Sequence, residues 1–236
     1  MSNKPTKAEF DEFSSDYRQI HNKNIKVSGA DSEYFSEYKV AEVLACEHGN
    51  SGRSMNILDF GCGDGTSLRF FQKYFRKANL TGIDVSEKSI DKAKKQFENV
   101  NFMLGDIRKQ SVQNNTFDII FCSTVFHHID TTDHKKILSK LQNILKPGGR
   151  LYIFEHNPHN PLTQKIVKDC IFDRCAHLIK ANDLKNLLSE CGFLKNKISY
   201  TIFFPRNGLF KKMLFLEKYL KHVPLGGQYY TRSVKR

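Results

Sequence analysis

Apolar and polar positions alternate along the chain in two periods, and the change of period marks the elements. Ile57 and Leu58 close a short apolar run of the kind a buried parallel strand needs. Ser67 to Arg76 then takes up helical spacing, with Phe70, Phe71, Tyr74 and Phe75 as a stripe that is read as core. The pattern repeats. Strands are predicted at Leu80–Asp84, Val100–Leu104, Phe117–Cys122 and Leu151–Phe154. Between them, Ser86–Phe97 reads as a helix with Ser86 as N-cap, and residues 131–145 as a second, with Ile137, Leu138, Leu141, Ile144 and Leu145 inward. Pro147-Gly148-Gly149 ends that helix. Strand and helix in alternation predict a parallel sheet covered by helices.

The flanks are less regular. Phe10, Phe13, Tyr17 and Ile20 fall at helical spacing, and Asp31-Ser32 opens a helix running to Cys46. Beyond the fifth strand, helices are predicted at Leu162–Cys170 and at Leu178–Cys191, where Gly192 is the C′ residue. A strand from Phe193 to Phe204 stops at Pro205, Leu209–Leu220 reads as an amphipathic helix, and Gln228–Val234 alternates as the last strand.

The chemistry is concentrated where the first strand meets its helix. Met55 to Thr66 reads Met-Asn-Ile-Leu-Asp-Phe-Gly-Cys-Gly-Asp-Gly-Thr. Glycines in a strand–turn–helix let the backbone approach a nucleotide-like ligand at the helix N-terminus. A dinucleotide fingerprint requires G-x-G-x-x-G. Here the third glycine, Gly65, comes one residue early, and Thr66 holds the expected place. Asp84 closes the second strand 19 positions after Gly65, where a carboxylate can accept ribose hydroxyls. Gly105-Asp106-Ile107 follows the third strand, Phe117-Asp118 opens the fourth, and Leu145 to Arg150 announces the fifth.

An acid followed by x-G-x-G-x-G resembles motif I of the class I S-adenosylmethionine (SAM) methyltransferases, small-molecule type, and the later landmarks extend that resemblance over residues 35 to 200. It implies an α/β fold: a Rossmann-like, doubly wound, seven-stranded sheet, mostly parallel with an antiparallel final strand and helices on both faces. It also implies SAM as cofactor and S-adenosylhomocysteine as product. Asp59, Gly61, Cys62 and Gly63 would form the cradle, with Asp84 and Val85 at the ribose. Asp106 and Ile107 would meet the adenine, and Ser123 would border the cofactor. The organisation expected is an N-terminal helical cap (1–48), a SAM-binding core (49–204), and a basic helix with final strand (205–236) completing the same domain. Tyr34 and Phe35 of the cap would cover the methionine end or simply pack the cap to the body.

The sulfonium methyl of SAM is already activated, so positioning a nucleophile behind it can supply about 7–11 kcal/mol. For a hydroxyl acceptor a base also helps. Candidates are His127 and His128 in Ser123-Thr124-Val125-Phe126-His127-His128, just beyond the fourth strand, and His156 at the end of the fifth. The alternative is that the histidines only order the loop. His127, His128, His156 and His159 lack acid-rich spacing, so no metal is expected.

Composition narrows the acceptor. The 236 residues are 39% hydrophobic and 26% charged, ordinary for a globular protein. No apolar segment follows the polar N-terminus, so a cytoplasmic protein is expected, and six scattered cysteines read as free thiols. The net charge is +12, and 205–236 carries eight basic residues against one acid, Glu217. An anionic partner suits that excess. No Pro-Pro turn of the exocyclic-amine methyltransferases and no Pro-Cys nucleophile is present, Trp is absent, and aromatics do not interleave the basic tail for base stacking. A small-molecule, sugar or lipid-linked acceptor, methylated on oxygen or nitrogen, is expected over nucleic acid. An RNA or DNA methyltransferase and a catalytically silent SAM-binding partner protein stay open as alternatives. Residues 209–221 would either touch an anionic membrane or dock their apolar side on the final hairpin. No feature of the sequence reports the oligomeric state.

Overall fold

The computed structural model describes residues 29–48, 52–170, 176–206 and 208–236. The helix expected around Phe10 to Ile20, and Cys175, lie outside these. Seven strands form one sheet: β1 (Met55–Phe60), β2 (Ala78–Asp84), β3 (Val100–Leu104), β4 (Phe117–Ser123), β5 (Leu145–His156), β6 (Phe193–Thr201) and β7 (Gln228–Lys235). Their order is β3-β2-β1-β4-β5-β7-β6. The first five are mutually parallel, and β7 runs antiparallel to both β5 and β6. The chain reverses its direction of strand addition between β1 and β4, so the crevice past their carboxyl ends is where a doubly wound fold takes its ligand.

The alternation in β1 explains the layers. Leu58 and Phe60 point into one core, shared with Leu138 and Leu141 of α4 (Thr131–Ile144) and Leu184 and Leu188 of α6 (Ala181–Glu190). Ile57 points into the other. That core is shared with Val40 and Val43 of α1 (Ser32–Cys46), Leu68 and Phe71 of α2 (Thr66–Tyr74) and Ile90 of α3 (Glu87–Gln96). Phe70, Phe71 and Phe75 are buried, as the aromatic stripe predicts. Between β5 and α6, helix α5 (Pro161–Asp169) starts under an Asn160 cap that accepts from Thr163 N at 2.9 Å.

The elements depart from the sequence pattern in several places, and β5 begins at Leu145, through Pro147-Gly148-Gly149, rather than at Leu151. Strand β6 ends at Thr201 rather than Phe204, because Ile202 enters the left-handed region at φ +61° and turns the chain before Pro205 is reached. The stretch expected as a helix over 209–220 is a 3₁₀ segment, Gly208–Leu216, followed by one turn, α7 (Glu217–Leu220). That stretch is tied back to the chain just before it and to β6. Arg206 pairs with Glu217 at 2.9 Å, and the Lys221 carbonyl accepts from Tyr200 N at 2.8 Å. Apolar positions three apart suit the tighter 3₁₀ winding as well as an α-helix.

Helix α1 is held to the body by its acids. Glu37 accepts from Lys73 (2.6 Å) and Tyr74 (2.7 Å), Glu42 from Lys221 (2.6 Å), and Glu47 from Tyr152 (2.6 Å) and Arg150. The Glu47–Arg150 pair is nearly buried, so breaking it would leave a charge uncompensated. These bonds hold α1 over the carboxyl ends of the strands.

Candidate active site

A cavity of about 630 Å³ lies past the ends of β1, β2 and β4, roofed by α1. Its floor is the glycine turn. Gly61 N and Cys62 N donate to the Ile83 carbonyl at 2.8 and 3.0 Å, folding the turn across β2. Gly61, Gly63 and Gly65 all have positive φ, at 75°, 54° and 85°. A Cβ on Gly61 would meet Val125 Cγ2 at 2.4 Å, whereas one on Gly63 would meet no atom within 4 Å and would project into open space. Gly63 is therefore glycine for its backbone and for whatever the cavity holds, not for protein packing. Asp84 Oδ2 accepts from Gly63 N at 2.8 Å and Oδ1 from Ser86 N at 2.9 Å, so this carboxylate shapes the turn as well as facing the cavity.

Asp59 is buried, and its Oδ2 has no hydrogen-bond partner among the described residues. Burial, and then the charge of Asp84, push its carboxyl up to about 8, against the pull of Lys39. An orphaned buried acceptor beside a glycine cradle fits the charged methionyl end of SAM. Val85 is exposed and Ile107 is buried, and both line the cavity, as apolar walls for a flat ring require. Asp106 also lines it, though both of its oxygens accept from Arg108, at 2.6–3.0 Å. Arg108 also bridges to Asp133 at 2.7 Å. Cys62 and Ser123 are in the wall as well.

Lys39 is the residue that sequence reasoning missed. It sits on α1 and is almost fully buried, donating to Ser123 Oγ at 2.8 Å inside the cavity. Burial lowers its ammonium to about 8, while Glu155, Cys122 and Asp59 act to raise it. A lone lysine on a mixed helix carries no signal that separates it from a solvated one. The two aromatics beside it divide. Phe35 is buried in the cavity wall, while Tyr34 lies outside the lining, with Arg206 5.3 Å above its ring.

At the far end the histidines take different roles. His127 is buried and absent from the lining; its Nδ1 lies 2.6 Å from Glu155 Oε2. Glu155 Oε1 accepts from Phe126 N (2.8 Å) and Val125 N (3.2 Å). Burial pushes the Glu155 carboxyl up, but the charge and hydrogen bond of His127 outweigh it and hold it below the usual range. His128 and His156 both line the cavity, with the His127 ring 4.1 and 5.2 Å from theirs. Glu155 thus orders the loop after β4, and His127 carries that order to the two half-buried imidazoles in the cavity wall. Thr124 and Ile202, β-branched residues at φ +55° and +61°, also line this end. Such strain costs on the order of 1–3 kcal/mol each and persists only where surrounding structure enforces it. Among the described residues no group of three His, Cys, Asp or Glu side chains converges as metal ligands.

A seven-stranded sheet in this order, with a glycine turn, an orphaned acid and an acid ending β2, defines a class I SAM-dependent methyltransferase domain. Residues 57–149 match the family model described as a methyltransferase domain, and the domain belongs to that class, with SAM as its cofactor. The chain is 33% identical over 104 residues to the ubiquinone biosynthesis O-methyltransferase of Coxiella burnetii, covering 42% of this chain and 43% of that protein. It spans less than half the length of the curated relatives it matches first. Among solved structures, a SAM-dependent methyltransferase of Thermotoga maritima superposes with a TM-score of 0.68 at 18% identity, covering 96% of this chain and 98% of the other. The magnesium protoporphyrin IX methyltransferase of Synechocystis with bound SAM gives 0.63 at 18%, covering 98% and 95%. At that identity these structures share the fold.

Proposed function

We propose that the chain is an enzyme that transfers the methyl of SAM to an oxygen or nitrogen of a small-molecule, sugar or lipid-linked acceptor. The observation that supports this most is one continuous cavity, with a cofactor cradle at one end and His128 and His156 at the other. Bound SAM supplies an activated methyl on a sulfonium. Asp59 and Lys39 would hold the ammonium and carboxylate of its methionyl tail, Asp84 its ribose, and Val85 with Ile107 its adenine. His128 or His156 would accept the proton that an attacking hydroxyl or amine gives up, with the Glu155–His127 pair keeping the loop in place. The likeness to an O-methyltransferase of ubiquinone biosynthesis supports an oxygen acceptor.

The test is formation of S-adenosylhomocysteine from SAM with a panel of phenols, amines and sugars. With the best acceptor, His128→Ala or His156→Ala should lower kcat by about 10²–10⁴-fold with SAM affinity kept. Full activity in both variants would remove the base from the reading. If no acceptor class drives turnover while SAM binds, the protein is a SAM-binding partner rather than an enzyme.

A further inference from the structure

Most large apolar side chains left exposed by a folded domain are scattered singly and need no account. Among the described residues, four of the nine exposed ones, Phe210 (50%), Phe215 (64%), Tyr219 (69%) and Leu225 (64%), fall in the connection between β6 and β7. The stripe at helical spacing in the sequence, Met213, Leu216 and Leu220, is instead half-buried, so its packing role is taken. The aromatics are a second set, left over after packing. Lys211, Lys212 and Lys218 are exposed among them, with Lys218 Nζ 4.8 Å from the Tyr219 ring centre. The sole acid of the tail, Glu217, is turned inward. It accepts from Phe203 N at 2.9 Å and Phe204 N at 3.2 Å and pairs with Arg206. The outer surface of this connection is therefore aromatic and basic, and its acid is spent on the inside.

We propose that this connection is a docking surface for an anionic lipid bilayer. Rings that bury at the acyl boundary, beside lysines that meet acidic headgroups, are what an interfacial segment requires. Charge complementarity selects the occupant: an apolar surface for a second copy of this chain would bring lysines against lysines. Position strengthens the case. Arg206 lies 5.3 Å from the rings of both Tyr34 and Tyr38 on α1, and Lys221 holds Glu42 of the same helix at 2.6 Å. Phe35 of α1, and Ile202 just before the Glu217-bound peptides, line the cavity. A bilayer on the connection would thus adjoin the acceptor end. The inference does not depend on which acceptor is methylated.

Cosedimentation of the full chain with phosphatidylcholine vesicles, with and without phosphatidylserine, tests it. Wild type should partition onto the acidic vesicles and be released by salt. Lys211→Glu with Lys212→Glu should lower partitioning at least roughly tenfold. Phe215→Ser with Tyr219→Ser should lower it by a similar factor and keep the salt dependence. SAM affinity, which these outward side chains do not touch, should be unchanged in both and shows that the fold is intact. Equal binding to both kinds of vesicle, equal binding by wild type and either variant, or binding of RNA or self-association in place of vesicles overturns the proposal.

Discussion

At the cofactor end of the cavity, Asp59, Gly61, Gly63 and Asp84 follow one another through a single strand–turn–helix–strand unit, and much of the surface they present is backbone. At the acceptor end, Phe35, His128, His156, Thr163, Ile202 and Gln228 come from α1, the loop after β4, and β5, α5, β6 and β7 and their connections. The first end is held by hydrogen bonds inside that one unit: Gly61 N to Ile83, Gly63 N to Asp84. The second is held by partners farther apart in the chain, such as Glu155 with His127, 28 positions away, and Thr163 with Gly227, 64 positions away. One end can be inherited as a motif. The other must be assembled, and its substrate can change with any of six segments.

If the acceptor end depends on long-range buried partners, it should be the more fragile. Glu155→Ala leaves a buried imidazole and two peptide N–H groups without their acceptor, and should lower unfolding free energy by about 3–5 kcal/mol in urea titration. The Glu155–His127 double-mutant cycle should show coupling above about 1 kcal/mol. A loss below 1 kcal/mol would mean that the loop is ordered by something else.

At the cofactor end the largest effect should fall on binding. Gly63→Val forces a branched side chain into the left-handed region and into the open cradle, and should weaken SAM affinity about a hundredfold by calorimetric titration. Unaltered affinity would place SAM away from the turn. Asp84→Ala removes ribose acceptors worth about 1.5–3 kcal/mol each and loosens Gly63 as well.

The buried pair Asp59 and Lys39 makes the same end pH-dependent. Asp59, raised from 3.8 to about 8, holds a proton that the methionyl ammonium displaces on binding. SAM affinity should therefore climb with pH toward 8, by up to about tenfold per unit. Above 8, Lys39 loses the charge that suits the carboxylate, and affinity should fall again. Asp59→Asn should flatten the acid limb and Lys39→Met the alkaline limb. In the SAM-free protein the raised Asp59 value stabilises the fold fully below 3.8, and that contribution is lost as pH rises through 8. A pH-independent affinity would break the assignment of both groups.

The smallest effect tests how the roof is set. Asp31 caps α1 by accepting from Tyr34 N at 2.8 Å, and Asp31→Ala should cost about 1 kcal/mol of stability. If SAM affinity falls in step, the helix that carries Phe35 and Lys39 contributes to the cradle; if it does not, the roof matters for the acceptor alone.

The sequence by itself determined the sheet core, the turn and the acids in β1, at the end of β2 and after β3. Each of these is a local pattern: a period of two or 3.6, a glycine where φ must be positive, a carboxylate at a strand end. It also placed His128 and His156 at the right edge, because strand ends are local too. Only the tertiary structure separated His127 from them, since burial against Glu155, 28 positions away, leaves no mark on residue order. The same holds for Lys39, which reads as one more solvated lysine until Ser123 and Asp59 surround it. In the tail, periodicity identified the apolar stripe that packs. It could not show that Glu217 turns inward while Phe215 and Tyr219 stay outside, because that choice is made by Arg206 and by two peptide N–H groups that need an acceptor once β6 has ended.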